Sequence, residues 1–279
     1  MLRLARSRRA ASPTTGAGTA ADTSTNTSTD TLTGTSTGPV SHRPGPVGGL
    51  RGLRLLVRAG HPRLAVLSAA ALTVAAALSG REPREVGLVL ATALVGGLVL
   101  GWHNDLVDRQ RDLRHHLPGK PVADGRLDPG TVWFALACGV LLLVPLAVTH
   151  GITAGSAYLV AVLVGVLGNV LLRQGFLSWV TWAASYALLP TFLSYGGWGG
   201  QALGDPPRVL VTVLAALGGI GVHVLTGLFG LVPEDADGWR SLPMRLGRRI
   251  GSSRLLAATV AYLGVVVTAI ALVTLSGGL

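Results

Sequence analysis

The 279-residue chain is 49% hydrophobic but only 13% charged, and its net charge is +10. A soluble domain carries about a quarter charged residues; here the few charges sit in short islands between long apolar runs. This excludes a large soluble core and points to a polytopic membrane protein, whose basic excess is read against membrane topology and not as affinity for nucleic acid.

Residues 1–49 begin with Arg3, Arg6, Arg8 and Arg9 and continue as a Thr/Ser/Gly-rich low-complexity tail. The tail has no apolar periodicity and no signal-peptide h-region, so disorder is expected. Residues 50–279 form the membrane domain. It opens with LRGLRLLVRAGHPR (50–63), where Arg51, Arg54 and Arg58 recur at helical spacing. Such a basic amphipathic stretch is predicted to lie among lipid headgroups. Arg58, at the entrance to the first span, could instead face inward.

Seven apolar runs follow, at 64–79, 86–103, 131–149, 152–172, 176–196, 209–230 and 252–275. The expected fold is therefore an all-α polytopic membrane protein, a bundle of about seven transmembrane helices. Glycines at 96/97, 165/168 and 218/219/221 suit close helix contact in lipid. The one cysteine, Cys138, excludes an intramolecular disulfide and reads as a small core residue. Asn169, deep in the fourth run, needs a partner or a cavity. Trp102, Trp179, Trp182 and Trp198 suit an interfacial belt.

With the N-terminus in the cytoplasm, the loops holding Arg109, Arg111, Arg114, Lys120, Arg126, Arg173, Arg240, Arg245, Arg248, Arg249 and Arg254 are all internal. The external loops hold only Arg81, Arg84 and Arg208. This satisfies the positive-inside rule. The expected location is the cell membrane, with the N-terminus and both acidic islands on the cytoplasmic side.

The first island, residues 101–130, follows the second apolar run directly. At 100° per residue Asn104, Asp105, Asp108 and Asp112 fall within a wedge of about 100°. Carboxylates so placed repel one another unless a cation or basic groups neutralise them. Two readings fit: a divalent metal bridging to phosphate, or a solvated helix end balanced by Arg109 and Arg111. The second island, residues 223–249, again runs from a span into acids, Glu234, Asp235 and Asp237, with Pro233 restarting the helix. His103 and His223 lie beside the two islands, as acceptor-side bases or as structural hydrogen-bond formers. His115 and His116 read as solvated.

The pattern resembles the UbiA superfamily of membrane prenyltransferases. Asn104, Asp105, Asp108 and Asp112 complete the motif N-D-x-x-D-x-x-x-D, and Lys120–Pro121 through Gly125–Arg126 follow as in that family. Gly238, Arg240, Leu242, Pro243, Arg245, Leu246 and Gly247 match its second region, and the likeness covers residues 50–275. Two features depart from it. The second motif would place aspartates at 230 and 234, where this chain has Gly230 and Glu234, with Asp235 or Asp237 as possible substitutes. The family core usually has nine spans, against about seven here.

The resemblance implies transfer of a prenyl group from a polyprenyl diphosphate to a lipophilic or aromatic acceptor, as in making a quinone or pigment. Mg2+ would be held by Asn104, Asp105, Asp108, Asp112 and Glu234, with Asp108, Asp112 and Lys120 at the catalytic centre. The diphosphate would be met by Lys120, Arg126, Arg173, Arg240 and Arg58. The partners implied are the diphosphate, the acceptor and the bilayer. Alternatives are a cyclase or hydrolase using the same first motif, or a non-catalytic isoprenoid-binding paralogue, which the missing acid at Gly230 keeps open. A transporter fits poorly, because the charges gather at one face.

Overall fold

The computed structural model describes residues 49–196 and 204–276, and among these it is all-α. The predicted low-complexity tail, apart from Gly49, and Trp198 lie outside the described residues. Helix α1 (Gly49–Ala59) buries Leu55 and Ala59 and exposes Arg51, Arg54 and Arg58. It meets α2 (Pro62–Leu78) at a bend of 65°. The break falls at Gly60 and His61, whose φ of 51° is left-handed, and Pro62 restarts the helix.

Helix α3 (Pro83–Arg114) has 32 residues. At 1.5 Å per residue it is about 48 Å long, against about 30 Å of hydrocarbon. Its last third therefore stands clear of the apolar layer and carries the first acidic island. Helix α4 (Pro129–Val148) begins at Asp128, whose carboxylate accepts from Thr131 N at 3.0 Å. Then come α5 (Ile152–Gly168), α6 (Ser178–Ala187), α7 (Leu189–Tyr195) and α8 (Val209–Gly227). A 3-10 turn (Leu228–Gly230) leads from α8 into α9 (Leu231–Ala236), followed by α10 (Leu242–Ile250) and α11 (Ser252–Leu275).

Each expected apolar run is helical, but the runs differ in reach. Among the described residues, four stretches are long and apolar enough to cross a membrane: Pro83–Arg114, Pro129–Val148, Val209–Ala236 and Ser252–Leu275; the bent α1–α2 pair makes a fifth. The other two runs fall short of the expected seven full spans. Helix α5 has 17 residues, below the roughly 20 that span a bilayer, and the next run is split into α6 and α7 just before Pro190.

Helices α2 to α5 pack each on the next in sequence, while α5 also meets α6 and α7, α6 packs on α8, and α8 on α11. Val89, Val99, Leu136, Leu143, Tyr158 and Phe192 fill the centre. The outward faces are also apolar, with Phe134, Leu141, Ile152, Val209 and Val265 all exposed. In water such a surface would aggregate; against lipid tails it is the solvated surface of a multi-pass membrane protein. Cys138 is on that outward face and not in the core, because it lies on the side of α4 opposite buried Val132, Leu136, Gly139 and Leu143.

Small residues set the closest contacts. A Cβ on Gly101 would come 2.2 Å from Gly60 O, and one on Gly97 would come 2.8 Å from Ala65 Cβ. Backbone thus touches backbone where the α1–α2 bend meets α3, which brings His61 beside the motif. Two of the tryptophans also make contacts between helices. Trp102 Nε1 donates to Leu56 O at 2.9 Å, tying α3 to α1. Trp182 stacks on Tyr186 with centroids 6.4 Å apart and lies 5.6 Å from the His223 ring. Both indoles are half-buried and meet a neighbouring helix.

At the opposite end of α3, His150 is buried and its Nε2 lies 3.0 Å from Thr92 Oγ1. Since that hydroxyl donates to Leu88 O at 2.8 Å, the imidazole Nε2–H is the donor to it. Its ring meets Phe192 edge-on at 4.8 Å. Burial, and after it the nearby Arg81 charge, lower the His150 pKa to about 4.

Candidate functional site

Asp105, Asp108 and Asp112 are buried along one side of the end of α3, with exposures of 1%, 8% and 2%. Acids toward a helix C-terminus are opposed by the macrodipole, so their burial needs partners from elsewhere. The 115–128 loop supplies the first. Lys120 Nζ donates to Asp105 Oδ1 at 2.9 Å and lies 3.1 Å from Asp112 Oδ2, an ion pair with poor hydrogen-bond angles. Burial alone would lower the Lys120 pKa, but the charges of Asp105 and Asp112 outweigh it and raise the value. The loop is pinned by Val122 and Leu127, which pack with Leu55, Ala59 and Val132, and by Leu127 N donating to Pro121 O at 2.9 Å.

Asp108 has two partners. Arg173, in the 3-10 turn Leu172–Gln174, donates through Nη1 to Oδ1, and Asn104 Nδ2 donates to Oδ2 at 3.0 Å. His61 Nε2 stands 3.5 Å from Asp105 Oδ1 and 3.3 Å from Lys120 Nζ. Asp105 Oδ2 is buried with no hydrogen-bond partner among the described residues.

The second island meets the first at the same end of the bundle. Glu234 is buried, and its Oε2 accepts from Ser241 Oγ at 2.5 Å. Ser241 also caps α10 by accepting from Met244 N at 3.4 Å. Glu234 lies close enough to Arg111, Asp108 and Asp237 to feel their charges. A Cβ on Gly230 would come 3.1 Å from Glu234 Oε1. The longer glutamate arm therefore reaches back one turn, into the space beside the position that lacks an acid.

Neither neighbouring acid substitutes for it. Asp235 is exposed and pairs with Arg248. Asp237 accepts from Arg111 Nε at 2.7 Å and meets His115 Nε2 at 2.8 Å. Although its partial burial pushes the other way, hydrogen bonds from Arg111 and His115 hold its carboxyl below the usual range. His115 is thus a structural partner and not a solvated loop residue. Trp239 lies under two guanidiniums, Arg111 at 4.1 Å and Arg173 at 5.2 Å from the ring centroid.

The remaining predicted residues divide between the site and its surroundings. Arg126 pairs with Asp124 on the exposed surface. Arg58 lies over Gly119, where a Cβ would be 2.8 Å from Nη2, and acts on the charge of Asp124. Arg240 exposes its side chain and donates through its backbone N to Gln174 O at 2.9 Å. Asn169 has the partners its burial requires, donating from Nδ2 to Leu100 O at 3.3 Å and lying 3.2 Å from His103 Nδ1. His223 Nε2 meets Ser178 Oγ at 2.9 Å, and that oxygen accepts from Leu242 N at 3.2 Å, a structural bond at the start of α10. Sequence reasoning missed His61, Ser241 and Trp239 as site residues; only Ser241 carried a signal, as the cap before Leu242–Pro243.

Among the described residues no three Asp, Glu, His or Cys side chains stand close enough to hold a metal ion, and Lys120 and Arg173 engage the motif carboxylates. The donor set is nonetheless all oxygen, and one buried carboxylate oxygen of Asp105 is unpartnered. That chemistry fits a hard divalent cation.

No protein-family model matches the chain. It is 27% identical over 192 residues to the chloroplastic chlorophyll synthase of Arabidopsis thaliana, a stretch covering 62% of this chain and 48% of that protein. The chain thus spans about half the length of that relative. Its fold is similar to a UbiA homologue from Archaeoglobus fulgidus in two structures, one bound to GPP and Mg2+ and the other to DMAPP and Mg2+. The TM-score is 0.58 in both, at 15% and 14% identity, covering 80% and 79% of this chain and 83% of that one. This shared fold and the likeness to the chlorophyll synthase support the resemblance to the UbiA superfamily that the complete N-D-x-x-D-x-x-x-D motif at Asn104–Asp112 carries.

Proposed function

We propose that this protein is a Mg2+-dependent prenyltransferase that moves a prenyl group from a polyprenyl diphosphate to a lipophilic or aromatic acceptor inside the membrane. The observation that carries this reading is the charge arrangement at the end of α3: buried Asp105, Asp108 and Asp112 faced by Lys120 and Arg173, with Asp105 Oδ2 unpartnered. Oxygen ligands and phosphate-binding cations are interleaved within one layer at the membrane edge, beside a long apolar bundle. The solved UbiA homologue with GPP or DMAPP and Mg2+, and the chlorophyll synthase, support it.

Asn104, Asp105, Asp108, Asp112 and Glu234 would hold the metal, which when bound supplies Lewis-acid neutralisation of the diphosphate oxygens as the C–O bond breaks. Lys120 and Arg173 present preorganised positive charge to the same leaving group. Trp239, from the second island, lies under the guanidiniums of both Arg173 and Arg111. The apolar bundle takes the prenyl tail and keeps water from the allylic carbon. Arg126, Arg240 and Arg58 lie further out and suit the first encounter with the diphosphate.

The test is incubation of purified protein with labelled prenyl diphosphates, Mg2+ and a panel of aromatic acceptors. Asp108→Ala is expected to abolish Mg2+-dependent release of diphosphate; unchanged turnover would remove the metal site from the reading. Release without an alkylated acceptor would favour a cyclase or hydrolase. Tight binding with no product would favour a non-catalytic isoprenoid binder, the outcome that Gly230 keeps open.

A further inference from the structure

All three motif carboxylates are engaged by cations of the same chain. Lys120 serves Asp105 and Asp112, and Arg173 serves Asp108. These cations are the donors a diphosphate would require, and these carboxylates are the ligands a metal would require. A metal arriving alone would have to share the acids with two resident cations. A diphosphate arriving alone would draw Lys120 and Arg173 off three buried carboxylates and leave them bare. When both arrive, the internal pairs are exchanged for metal–carboxylate and cation–phosphate pairs, and no buried charge is stranded.

Resting on the metal–diphosphate reading above, we propose that Lys120 and Arg173 are internal counter-ions that make divalent-metal and diphosphate binding mutually dependent, each ligand tightening the other. Trp239 extends the device. Its ring lies under Arg173 and under Arg111, which Asp237 anchors. Arg173 can therefore turn from Asp108 toward a phosphate while its guanidinium keeps an aromatic surface beneath it. Linkage requires the tightening factor to be the same in both directions.

The experiment uses the full chain in detergent, with Mn2+ as the metal, followed by its electron paramagnetic resonance, and inorganic pyrophosphate as the anion. Protein-free controls correct for the complex the two form in solution. Pyrophosphate is expected to tighten Mn2+ binding at least about tenfold, within the usual range of coupling between sites. Lys120→Met is expected to strengthen binding of Mn2+ alone and to shrink the coupling, whereas Lys120→Arg, which keeps the charge, retains it. Should Lys120→Met fail to fold, Arg173→Gln makes the same test at Asp108. If both ligands bind but neither changes the affinity of the other, the counter-ion inference is overturned and the site reading stands. If neither binds, alone or together, the site reading falls and the inference with it.

Discussion

Gly230 and Glu234 are best understood as one unit. The sequence shows a glycine and a glutamate where the resemblance calls for two aspartates, which looks like the loss of one ligand. In the folded chain Glu234 Oε1 lies 3.1 Å from where a Gly230 Cβ would be, and Oε2 is fixed by Ser241. A glutamate one methylene longer than aspartate uses the space that the glycine leaves open. Gly230→Ala should therefore separate function from stability. The backbone at 230 has an ordinary φ of −102°, so alanine should raise stability, by roughly 0.5–1 kcal/mol if the site behaves as a helix interior. The displaced Glu234 carboxylate should weaken Mn2+ binding in the presence of pyrophosphate by roughly tenfold, the scale of lost ligand support. Thermal unfolding and Mn2+ titration on the same preparation check both; equal metal affinity would mean that the Glu234 arm is not held by this packing.

Helix ends show how elements, more than single residues, build the molecule. One end of α3 is an ion-pair layer, and the other is closed by neutral His150 donating to Thr92 and packing on Phe192, with Arg81 and Glu85 nearby. Because its pKa falls from an ordinary 6.5 to about 4, the unfolded chain binds the extra proton first on acidification. The stability that His150 contributes is thus full above about pH 6.5 and is lost as pH falls toward 4. Melting temperatures between pH 7.5 and 4.5 should drop more for the wild type than for His150→Gln; parallel curves would rule out this source of pH dependence. Elements also explain why two of the apolar runs give shorter helices than expected. Apolarity marks the run at 176–196, but Pro190 divides it into α6 and α7, and apolar composition by itself carries no account of helix continuity.

At the scale of the whole molecule, the outward faces are as apolar as the centre, which is why Cys138 could not be assigned from its surroundings in sequence. A lipid-facing position halfway along α4 predicts a specific reactivity. In intact vesicles Cys138 should resist a charged maleimide and react with a membrane-permeant one, and detergent should remove the difference. Ready labelling by the charged reagent in vesicles would place that face of α4 in water. The two acidic islands, four apolar runs apart in sequence, meet through the Arg111–Asp237 pair, as the alternation of basic loops predicts. Periodicity, hydropathy and charge position are local quantities, and through them the sequence by itself determined the all-α class, the apolar runs, the common face of both islands and the Asn104–Asp112 motif. Only the tertiary structure decided which cations serve which acids. Lys120 and Arg173 reach the motif while Arg126 turns to Asp124, Asp237 goes to Arg111 and His115, and Trp239 lies beneath two arginines. Such pairings depend on distances of a few ångströms between segments far apart in the chain, and these exist only once the helices have packed.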